Sequence, residues 1–316
     1  MNEQTPLRIG TRASALAQAQ SGQVAEQLTA WLSGRSGREA VLVPVTTEGD
    51  LNQRPLTELG GAGVFVSALR EALLAGEVDV AVHSLKDLPT APAPGIVLAA
   101  VPAREDPRDA VVARDGLTLG ELPPGSRIGT GSPRREAQLR ALGLGFEVEP
   151  VRGNVGTRIG YVTEGRLDAV VLAYAGLRRI DRADEVTEVL DPLQMLPAPG
   201  QGALAIECRA DDTDLAEQLR AALDDSATRA AVSAERSLLA TLEAGCTAPV
   251  GALAEVALGD AGEEIWMRAV AAAVDGTQVV KMSTSGAVDE AVGLGKALAE
   301  DMLADGASAL LGERVP

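Results

Sequence analysis

The chain has 316 residues, 46% of them apolar but only 2% aromatic, and it carries a formal net charge of −17. Because a single core rarely grows beyond roughly 250 to 300 residues, this length predicts two or three domains. The acidic charge and the scarcity of aromatic rings for stacking argue against nucleic acid as a partner. No run of about 20 apolar residues is present to cross a bilayer, and residues 1–6 lack a signal-peptide pattern, so we expect a cytoplasmic protein without a membrane partner.

The chain opens with a strand and a helix. Leu7–Thr11 is typical of a short strand, and Ser14 suits the N-cap of a helix that runs to about Trp31. The opening of this βα unit recurs as Arg127–Ser132, which again precedes an Ala/Leu/Arg helical stretch. Each such turn presents backbone N–H groups and the positive end of a helix dipole, a combination that favours an anionic ligand.

A second pair of segments supports this internal repeat. Ala75–Val82 parallels Glu164–Val171, each being a turn that leads into a continuous apolar run of the kind found in buried parallel strands. Two echoes in the same order predict two similar α/β domains that face a cleft, as in periplasmic binding proteins. Ligands of such domains bind beyond the carboxyl ends of the strands.

The loop His83–Pro89 directly follows the apolar strand Asp79–Val82. It therefore lies where an α/β sheet keeps its active site. Lys86 is one of only three lysines in the chain, and it can bind a carboxylate or tune its neighbour Asp87. Asp87 can serve as general acid and base or hold a developing cation. His83, the only histidine, is expected to be a partly buried hydrogen-bonding residue without a catalytic role.

Basic residues are concentrated in one segment of this acidic chain. Residues 127–182 carry 10 basic and 6 acidic groups, and all ten basic groups are Arg. Several guanidinium groups in one cleft indicate a ligand with several carboxylates or phosphates, and the lack of a GxxxxGK[ST] run makes phosphate the weaker interpretation. The candidates are Arg134, Arg135, Arg152, Arg158, Arg178 and Arg179. For Arg140, Arg166 and Arg182 we expect only solvated pairs with neighbouring acids.

The last third of the chain has a different pattern. A Pro/Gly-rich hinge, Pro197–Gly202, precedes a strand over Ala203–Ile206. Beyond Asp225 a helix, a Gly-Cys-Thr-Ala-Pro loop, strands and a closing helix predict a small acidic α+β domain. We therefore expect domain 1 at 1–102 with 203–222, domain 2 at 103–202 and domain 3 at 223–316.

The two cysteines have different surroundings. Two cysteines and one histidine build neither a disulfide framework nor a Cys/His zinc site, and no metal is predicted. Cys208 follows an apolar strand and is expected to be a small buried hydrophobic residue. Cys246 lies in a turn just past a helix, which makes it a candidate attachment point or nucleophile.

Taken in order along almost the whole chain, these motifs resemble the porphobilinogen deaminase family, also called hydroxymethylbilane synthases. The segments that carry the resemblance are Gly10–Ser14, Gly60–Phe65, Val82–Pro89, Arg104–Ala110, Gly129–Arg135, Arg152–Arg158, Leu172–Arg179, Pro199–Ala203 and Gly245–Gly251. The resemblance implies a three-domain transferase of tetrapyrrole (porphyrin, heme) biosynthesis. Such an enzyme joins four porphobilinogen molecules head to tail into hydroxymethylbilane and releases ammonia at each step.

The resemblance also implies a dipyrromethane cofactor and a role for each matching residue. Cys246 matches the residue that binds the cofactor through a thioether, and Asp87 matches the acid/base that assists ammonia loss and stabilises cationic intermediates. The positions that match cofactor-binding residues are Lys86, Ser84, Thr130, Ser132, Arg134 and Arg135. The positions that match binding residues for substrate and growing chain are Arg12, Ser14, Gln20, Arg152, Asn154, Arg158 and Arg179.

The chain departs from the family pattern at two places. Family members often carry Lys in the Gly-rich loop before Phe65, whereas residues 57–63 contain none here, and Arg54 is the candidate substitute. Pro133 follows Gly131-Ser132 where a Ser-Ser-Leu-like sequence is common, which removes one hydroxyl group from the primer site.

Two other classes of function compete with this interpretation. The first is a non-catalytic, two-lobed protein that binds an anionic small molecule, a function that needs neither Asp87 nor Cys246. The second, a dinucleotide-binding oxidoreductase, lacks the GxGxxG spacing at residues 9–14. The preferred interpretation predicts porphobilinogen as the small-molecule partner, no nucleic acid, no membrane, and a monomer.

Overall fold

The computed structural model describes residues 5–35, 37–45, 63–244, 248–259 and 262–311. The chain forms two compact units. Unit 1 contains Met1–Arg104 and Ala203–Arg229, and unit 2 contains Glu105–Gly202 and Ala230–Pro316. In the described part of the chain, no helix has both the length and the apolar character needed to cross a membrane.

Unit 1 is built on a five-stranded sheet in the order β2-β1-β3-β10-β4. Its strands are β1 (Leu7–Thr11), β2 (Ala40–Pro44), β3 (Val80–Ser84), β4 (Ile96–Ala100) and β10 (Leu204–Arg209). The helices of this unit are α1 (Ala15–Ser33), α2 (Gly63–Leu74) and α6 (Thr213–Leu223). Strands β1, β2 and β3 are parallel, whereas β10 pairs antiparallel with both β3 and β4.

Unit 2 contains a second five-stranded sheet in the order β7-β6-β8-β5-β9. Its strands are β5 (Asp109–Ala113), β6 (Arg127–Thr130), β7 (Glu147–Pro150), β8 (Ala169–Ala173) and β9 (Glu188–Val189). The helices that accompany this sheet are α3 (Pro133–Ala141), α4 (Val155–Thr163) and α5 (Tyr174–Arg179). Strand β6 is parallel to β7 and β8, and β5 is antiparallel to β8.

The two five-stranded sheets repeat one plan, as the sequence echoes predict. In both sheets an aspartate stands directly before the central strand, β3 or β8, and accepts a hydrogen bond from the parallel strand beside it, β1 or β6. Asp79 accepts from the backbone N–H of Arg8 at 3.0 Å, and Asp168 accepts from that of Arg127 at 2.7 Å. Gly129 of the echoed motif lies in a crowded place, because a Cβ atom there would lie within 3.0 Å of methyl groups of Leu167, Val151 and Val170, and these side chains would have to shift.

Unit 2 also contains a three-stranded antiparallel sheet with its own core. Its strands are β11 (Val250–Gly259), β12 (Gly262–Ala272) and β13 (Val279–Ala287), in the order β11-β12-β13. Helices α7 (Ser226–Thr241) and α8 (Ala291–Ala304) supply Leu238 and Leu298, which are buried against Met267 of β12.

These observations confirm the predicted α/β fold class, with a small α+β part near the carboxyl terminus. The five-stranded sheets are mixed rather than wholly parallel, because β10 and β5 run against their neighbours. The closing helix begins at Ala291, directly after a single 3₁₀ turn over residues 288–290. The three-domain boundaries and the cleft stay predictions.

Candidate active site

A single 3₁₀ turn, Leu85–Asp87, carries Lys86 and Asp87 at the carboxyl end of β3. The Leu85 N–H donates to the carbonyl of Ala203 at 3.0 Å, and the Leu88 N–H closes the turn onto the Leu85 carbonyl at 3.1 Å. Leu85 is fully buried and anchors the turn, whereas Lys86 and Asp87 are partly exposed. The chain thus presents Asp87 on a well-supported turn at the carboxyl end of the central strand, where the sequence predicts it.

The other candidate residues of unit 1 lie on the first βα turn and its helix. Ser14 caps α1 by accepting from the Ala17 N–H at 3.3 Å, and Arg12 is partly exposed in the turn before it. Gln20 is buried, and its Nε2 donates to Oγ of Ser84 at 2.9 Å. The structure therefore brings Gln20 and Ser84 together, one residue before the Lys86–Asp87 turn begins.

A buried charged cluster lies on the strands that carry this turn. Glu207 on β10 accepts two hydrogen bonds from Arg70 of α2, at 2.7 and 2.9 Å. The Nε2 atom of His83 on β3 lies 3.3 Å from Oε2 of Glu207. Burial alone would raise the pKa of Glu207, but Arg70 and His83 outweigh burial and lower that pKa to about 2. His83 is more buried than the sequence predicts.

In unit 2 the echoed βα turn carries Thr130 and Ser132. Thr130 is buried at the end of β6 and accepts from the Ser132 N–H at 3.2 Å. Ser132 is the N-cap of α3, where its Oγ lies 3.5 Å from the Arg135 backbone N–H. Pro133 occupies the first helical turn, a position where a missing N–H costs nothing. The departure at Pro133 therefore suits the start of this helix.

Arg134 and Arg135 are buried and share one carboxylate. Arg134 Nη1 lies 2.8 Å from Oδ2 of Asp109, and Arg135 Nη2 lies 2.8 Å from Oδ1 of the same residue. Gln201 Nε2 also donates to Asp109 Oδ1 at 2.8 Å. Burial would raise the pKa of Asp109, but the two arginines outweigh it and hold that pKa well below its ordinary value. Asp109 therefore stays ionised and fixes both guanidinium groups.

The remaining candidate arginines of unit 2 are less enclosed. Arg158 is partly buried, and its pKa is lowered first by burial and then by the charges of Arg135 and Arg152. Arg179 donates to the carbonyl of Gly202 at 2.8 Å, and burial lowers its pKa also. The repulsion that Arg158 feels from Arg135 and Arg152 favours an anionic ligand in this part of unit 2.

Asn154 has a structural role in this region. It caps α4 by accepting from the Thr157 N–H at 2.9 Å. This cap holds the Arg152–Arg158 segment at a helix N-terminus, where backbone N–H groups add to the positive field. The three arginines for which we expect solvated pairs make them: Arg140 with Glu136 at 2.8 Å, Arg166 with Glu164 at 3.7 Å, and Arg182 with Glu185.

Three further polar residues emerge only in the structure: Asp109, Glu207 and Arg70. Asp109 lies inside the Arg104–Ala110 motif, so its place in that motif is a signal that sequence reasoning could have used. Glu207 and Arg70 follow from no motif. The pairing of β10 with β3 brings Glu207 to His83 from 124 residues away, and Arg70 reaches Glu207 from helix α2.

Several predicted features lie outside the described residues. These are Cys246 in its turn, Arg54, and residues 60–62 of the Gly-rich loop. Cys208 is buried as predicted, and burial raises the pKa of its thiol to about 11, so it is not a nucleophile at neutral pH. The described residues form no group of three or more His, Cys, Asp or Glu side chains that could hold a metal ion.

Two family models match the chain. "Porphobilinogen deaminase, dipyromethane cofactor binding domain" matches residues 7–217, and "Porphobilinogen deaminase, C-terminal domain" matches residues 229–304. The porphobilinogen deaminase of Nocardia farcinica is 60% identical over 314 residues, covering 98% of this chain and 89% of that protein. Porphobilinogen deaminase 1 of Streptomyces coelicolor is 58% identical over 317 residues, covering 98% of both proteins.

A more distant likeness exists among solved structures. A periplasmic substrate-binding protein of an ABC transporter from Coxiella burnetii has a TM-score of 0.42 and 15% identity, over 68% of this chain and 91% of that chain. The family models together reach from residue 7 to residue 304, and the curated relatives match almost the whole chain. The chain therefore belongs to the porphobilinogen deaminase family.

Proposed function

We propose that this chain joins four porphobilinogen molecules head to tail and releases hydroxymethylbilane, with Asp87 as the acid/base. Each joining step breaks the bond between the aminomethyl carbon and nitrogen, releases one ammonia and forms one carbon–carbon bond. In the final step water breaks the carbon–carbon bond that holds the four joined units, and the released product keeps the hydroxyl group. The observation that carries the proposal is the Lys86–Asp87 turn, held at the carboxyl end of β3 by the bonded Leu85 N–H and the buried Leu85 side chain.

Asp87 suits the proton transfers of this reaction. When ammonia leaves, a positive charge develops on the pyrrole, and a nearby carboxylate stabilises that charge. When the new carbon–carbon bond has formed, the ring loses a proton, which the same carboxylate can accept. One residue on one turn is thus sufficient for both steps, whereas a passive binding protein has no need of it.

The arginines of unit 2 suit the substrate. Each pyrrole carries an acetate and a propionate, so every joining step adds two carboxylates to the bound chain. Arg152, Arg158 and Arg179 offer guanidinium groups for bidentate contacts with carboxylates. The lowered pKa values of Arg158 and Arg179 favour the same conclusion, since a bound carboxylate would offset the burial that lowers both and the repulsion that also lowers the pKa of Arg158.

The described residues fit a dipyrromethane cofactor. The Nε atom of Arg134 is buried without a hydrogen-bond partner in the described part of the chain, so one donor of a buried guanidinium group remains for a carboxylate. When bound, the dipyrromethane supplies the pyrrole carbon to which the first substrate is joined. The residues that would hold it are Ser84, Lys86, Thr130, Ser132, Arg134 and Arg135, with Cys246 as the thioether anchor.

The test combines intact mass with turnover. Purified chain is expected to be heavier than its bare sequence by one dipyrromethane, and Cys246→Ala is expected to remove that added mass. Asp87→Asn is expected to keep the added mass but to lose about a hundredfold or more in ammonia release, in line with the loss of a general acid/base. A bare mass for the wild type contradicts the covalent primer, and full turnover by Asp87→Asn contradicts the role of Asp87.

The remaining proposals concern the state of the protein. They are a cytoplasmic location and a monomeric chain. Light scattering during size-exclusion chromatography tests the second of these, because a monomer has a mass near 32.4 kDa. A mass of twice that value would contradict it.

A further inference from the structure

The repeat between the two five-stranded sheets makes it possible to compare residues at equivalent positions. Gly10 pairs with Ala81 in unit 1, and Gly129 pairs with Val170 in unit 2, so Ala81 and Val170 are equivalent. The ion pairs agree with this alignment. Asp79 is approached by Arg8 at 2.7 Å and by Arg209 at 3.7 Å, while Asp168 is approached by Arg127 at 3.9 Å and by Arg114 at 2.8 Å. Three charged positions therefore coincide across the repeat: Asp79 with Asp168, Arg8 with Arg127, and Arg209 with Arg114.

In the same alignment, the positions of the charged cluster in unit 1 correspond to apolar positions in unit 2. Glu207 pairs with Ala81, as Val112 pairs with Val170, so Glu207 corresponds to Val112. His83 lies two residues after Ala81, and Leu172 lies two residues after Val170, so His83 corresponds to Leu172.

The helical member of the cluster is located in the same way. Arg70 lies six residues before Gly76, and Ile159 lies six residues before Gly165, the equivalent glycine of the second pair of repeated segments. Val112, Ile159 and Leu172 pack together in a single apolar cluster of unit 2. The fold therefore has an apolar solution for the three positions that unit 1 fills with Arg70, His83 and Glu207.

The charged solution is the costlier one for stability. The side chain of Glu207 is 5% exposed and that of His83 is 4% exposed, so both groups give up most of their hydration. Apolar side chains of similar volume often replace a buried ion pair without loss of stability, or with a gain. His83 Nε2 is, in addition, buried without a hydrogen-bond partner in the described residues. The sheet has no need of these groups, which points to a role other than folding.

The elements that the cluster joins are those that carry the catalytic turn. His83 is followed on β3 by Ser84 and then by the Leu85–Asp87 turn. Glu207 lies on β10, the strand that begins directly after Ala203, whose carbonyl accepts from the Leu85 N–H. Arg70 adds α2 to this pair of strands through its two hydrogen bonds to Glu207. The hydrogen bonds join α2 to β10, and the His83–Glu207 contact at 3.3 Å adds β3, so charged contacts at fixed distances restrict the end of β3 more tightly than apolar contacts do.

We infer that Arg70, Glu207 and His83 are positioning residues that hold the Lys86–Asp87 turn in its reactive placement. The inference rests on the proposed function of that turn. The three side chains act through the backbone of β3 and β10 and have no contact with substrate in this role. A misplacement of about 1 Å at a reacting group can cost about a hundredfold in rate, so loss of the cluster acts on kcat rather than on folding.

The test replaces the three charged residues of unit 1 with the apolar residue types found at the equivalent positions of unit 2. The triple variant Arg70→Ile, His83→Leu, Glu207→Val is expected to fold with a urea midpoint equal to or above that of wild type. Its kcat for ammonia release is expected to fall about tenfold or more, with KM changed less than about threefold. The full chain carrying its cofactor is used throughout, and the loaded fraction is measured by intact mass.

Asp79→Asn is the matched control. It removes a charge from the residue directly before β3, at the end of the strand away from the turn, in an ion pair that both units share. It is expected to lower the urea midpoint and to leave kcat within about twofold of wild type. If the triple variant instead keeps wild-type kcat, or if both variants lower kcat in proportion to stability, the inference is overturned.

If the triple variant fails to fold, the single variant Arg70→Met is tested instead. The Arg70 side chain is 17% exposed and therefore less enclosed than Glu207 and His83. A lowered kcat at unchanged KM in Arg70→Met supports the inference, and unchanged kcat or failure to fold overturns it. Failure of the proposed function is a separate result, because it would appear as a wild-type chain that releases no ammonia from porphobilinogen.

Discussion

The two five-stranded sheets have the same spatial arrangement and directions of strands, and each has an aspartate directly before its central strand. They nevertheless bury charge in different places. Unit 1 buries Glu207 where unit 2 has Val112. Unit 2 buries Asp109 where unit 1 has Leu204, since the neighbouring residues Ala110 and Ala205 pair with equivalent positions. The exchange is reciprocal, so neither charge belongs to the fold as such.

The difference teaches what each charge is for. Asp109 fixes the guanidinium groups of Arg134 and Arg135, which leave the start of α3 and turn inward to reach it. Glu207 fixes no candidate ligand-binding group and instead ties Arg70 and His83 to the strands of the catalytic turn. One sheet thus uses its buried carboxylate to hold binding residues, and the other uses it to hold the turn that carries Asp87.

The largest effect on stability is expected at Asp109. Asp109→Asn leaves two buried guanidinium groups without their carboxylate, which costs about 3 to 5 kcal/mol in the free energy of unfolding. Urea unfolding measures this loss. Asp168→Asn, at a more exposed carboxylate of the same sheet, is the control. Equal midpoint shifts for the two variants would show that Asp109 is no more than an ordinary surface pair.

An intermediate effect on the free energy of unfolding is expected when the pH is lowered. Because the pKa of Glu207 is lowered from 4.5 to about 2 in the folded protein, its contribution is complete above pH 4.5 and is lost as the pH falls toward 2. A shift of this size corresponds to about 3 kcal/mol. Urea unfolding across this pH window is therefore expected to lose less stability in the Arg70→Ile, His83→Leu, Glu207→Val variant than in wild type. Parallel losses in the two proteins would contradict the lowered pKa.

The smallest effect concerns the ion pair that both sheets share. Asp79→Asn and Asp168→Asn are each expected to cost about 1 kcal/mol, because the paired arginine side chains are between a third and a half exposed and solvent screens them. Separate urea titrations give the two values. A difference above about 0.5 kcal/mol would break the equivalence of the two positions, and with it the alignment on which the charge comparison depends.

Much of the site follows from local patterns in the sequence. Ser14 and Ser132 cap their helices as the N-cap preference predicts, and the apolar run before His83 forms the strand that presents Asp87. Motif positions predict the arginine-rich segment too. The sequence does not predict that Asp109 pairs with Arg134 and Arg135. These arginines are 25 and 26 residues away from Asp109, and ion pairs at such spacings have no local signature in a sequence.

The sequence by itself determined the elements, the internal repeat and the family, because hydrophobic periodicity, capping residues and contiguous motifs are local properties of a chain. Only the tertiary structure decided which charges meet. Arg70, His83 and Glu207 come from a helix and two strands, and their contact depends on the antiparallel register of β3 and β10. The repeat is legible in the sequence, but the exchange of buried charge between its two copies appears only when the strands are paired.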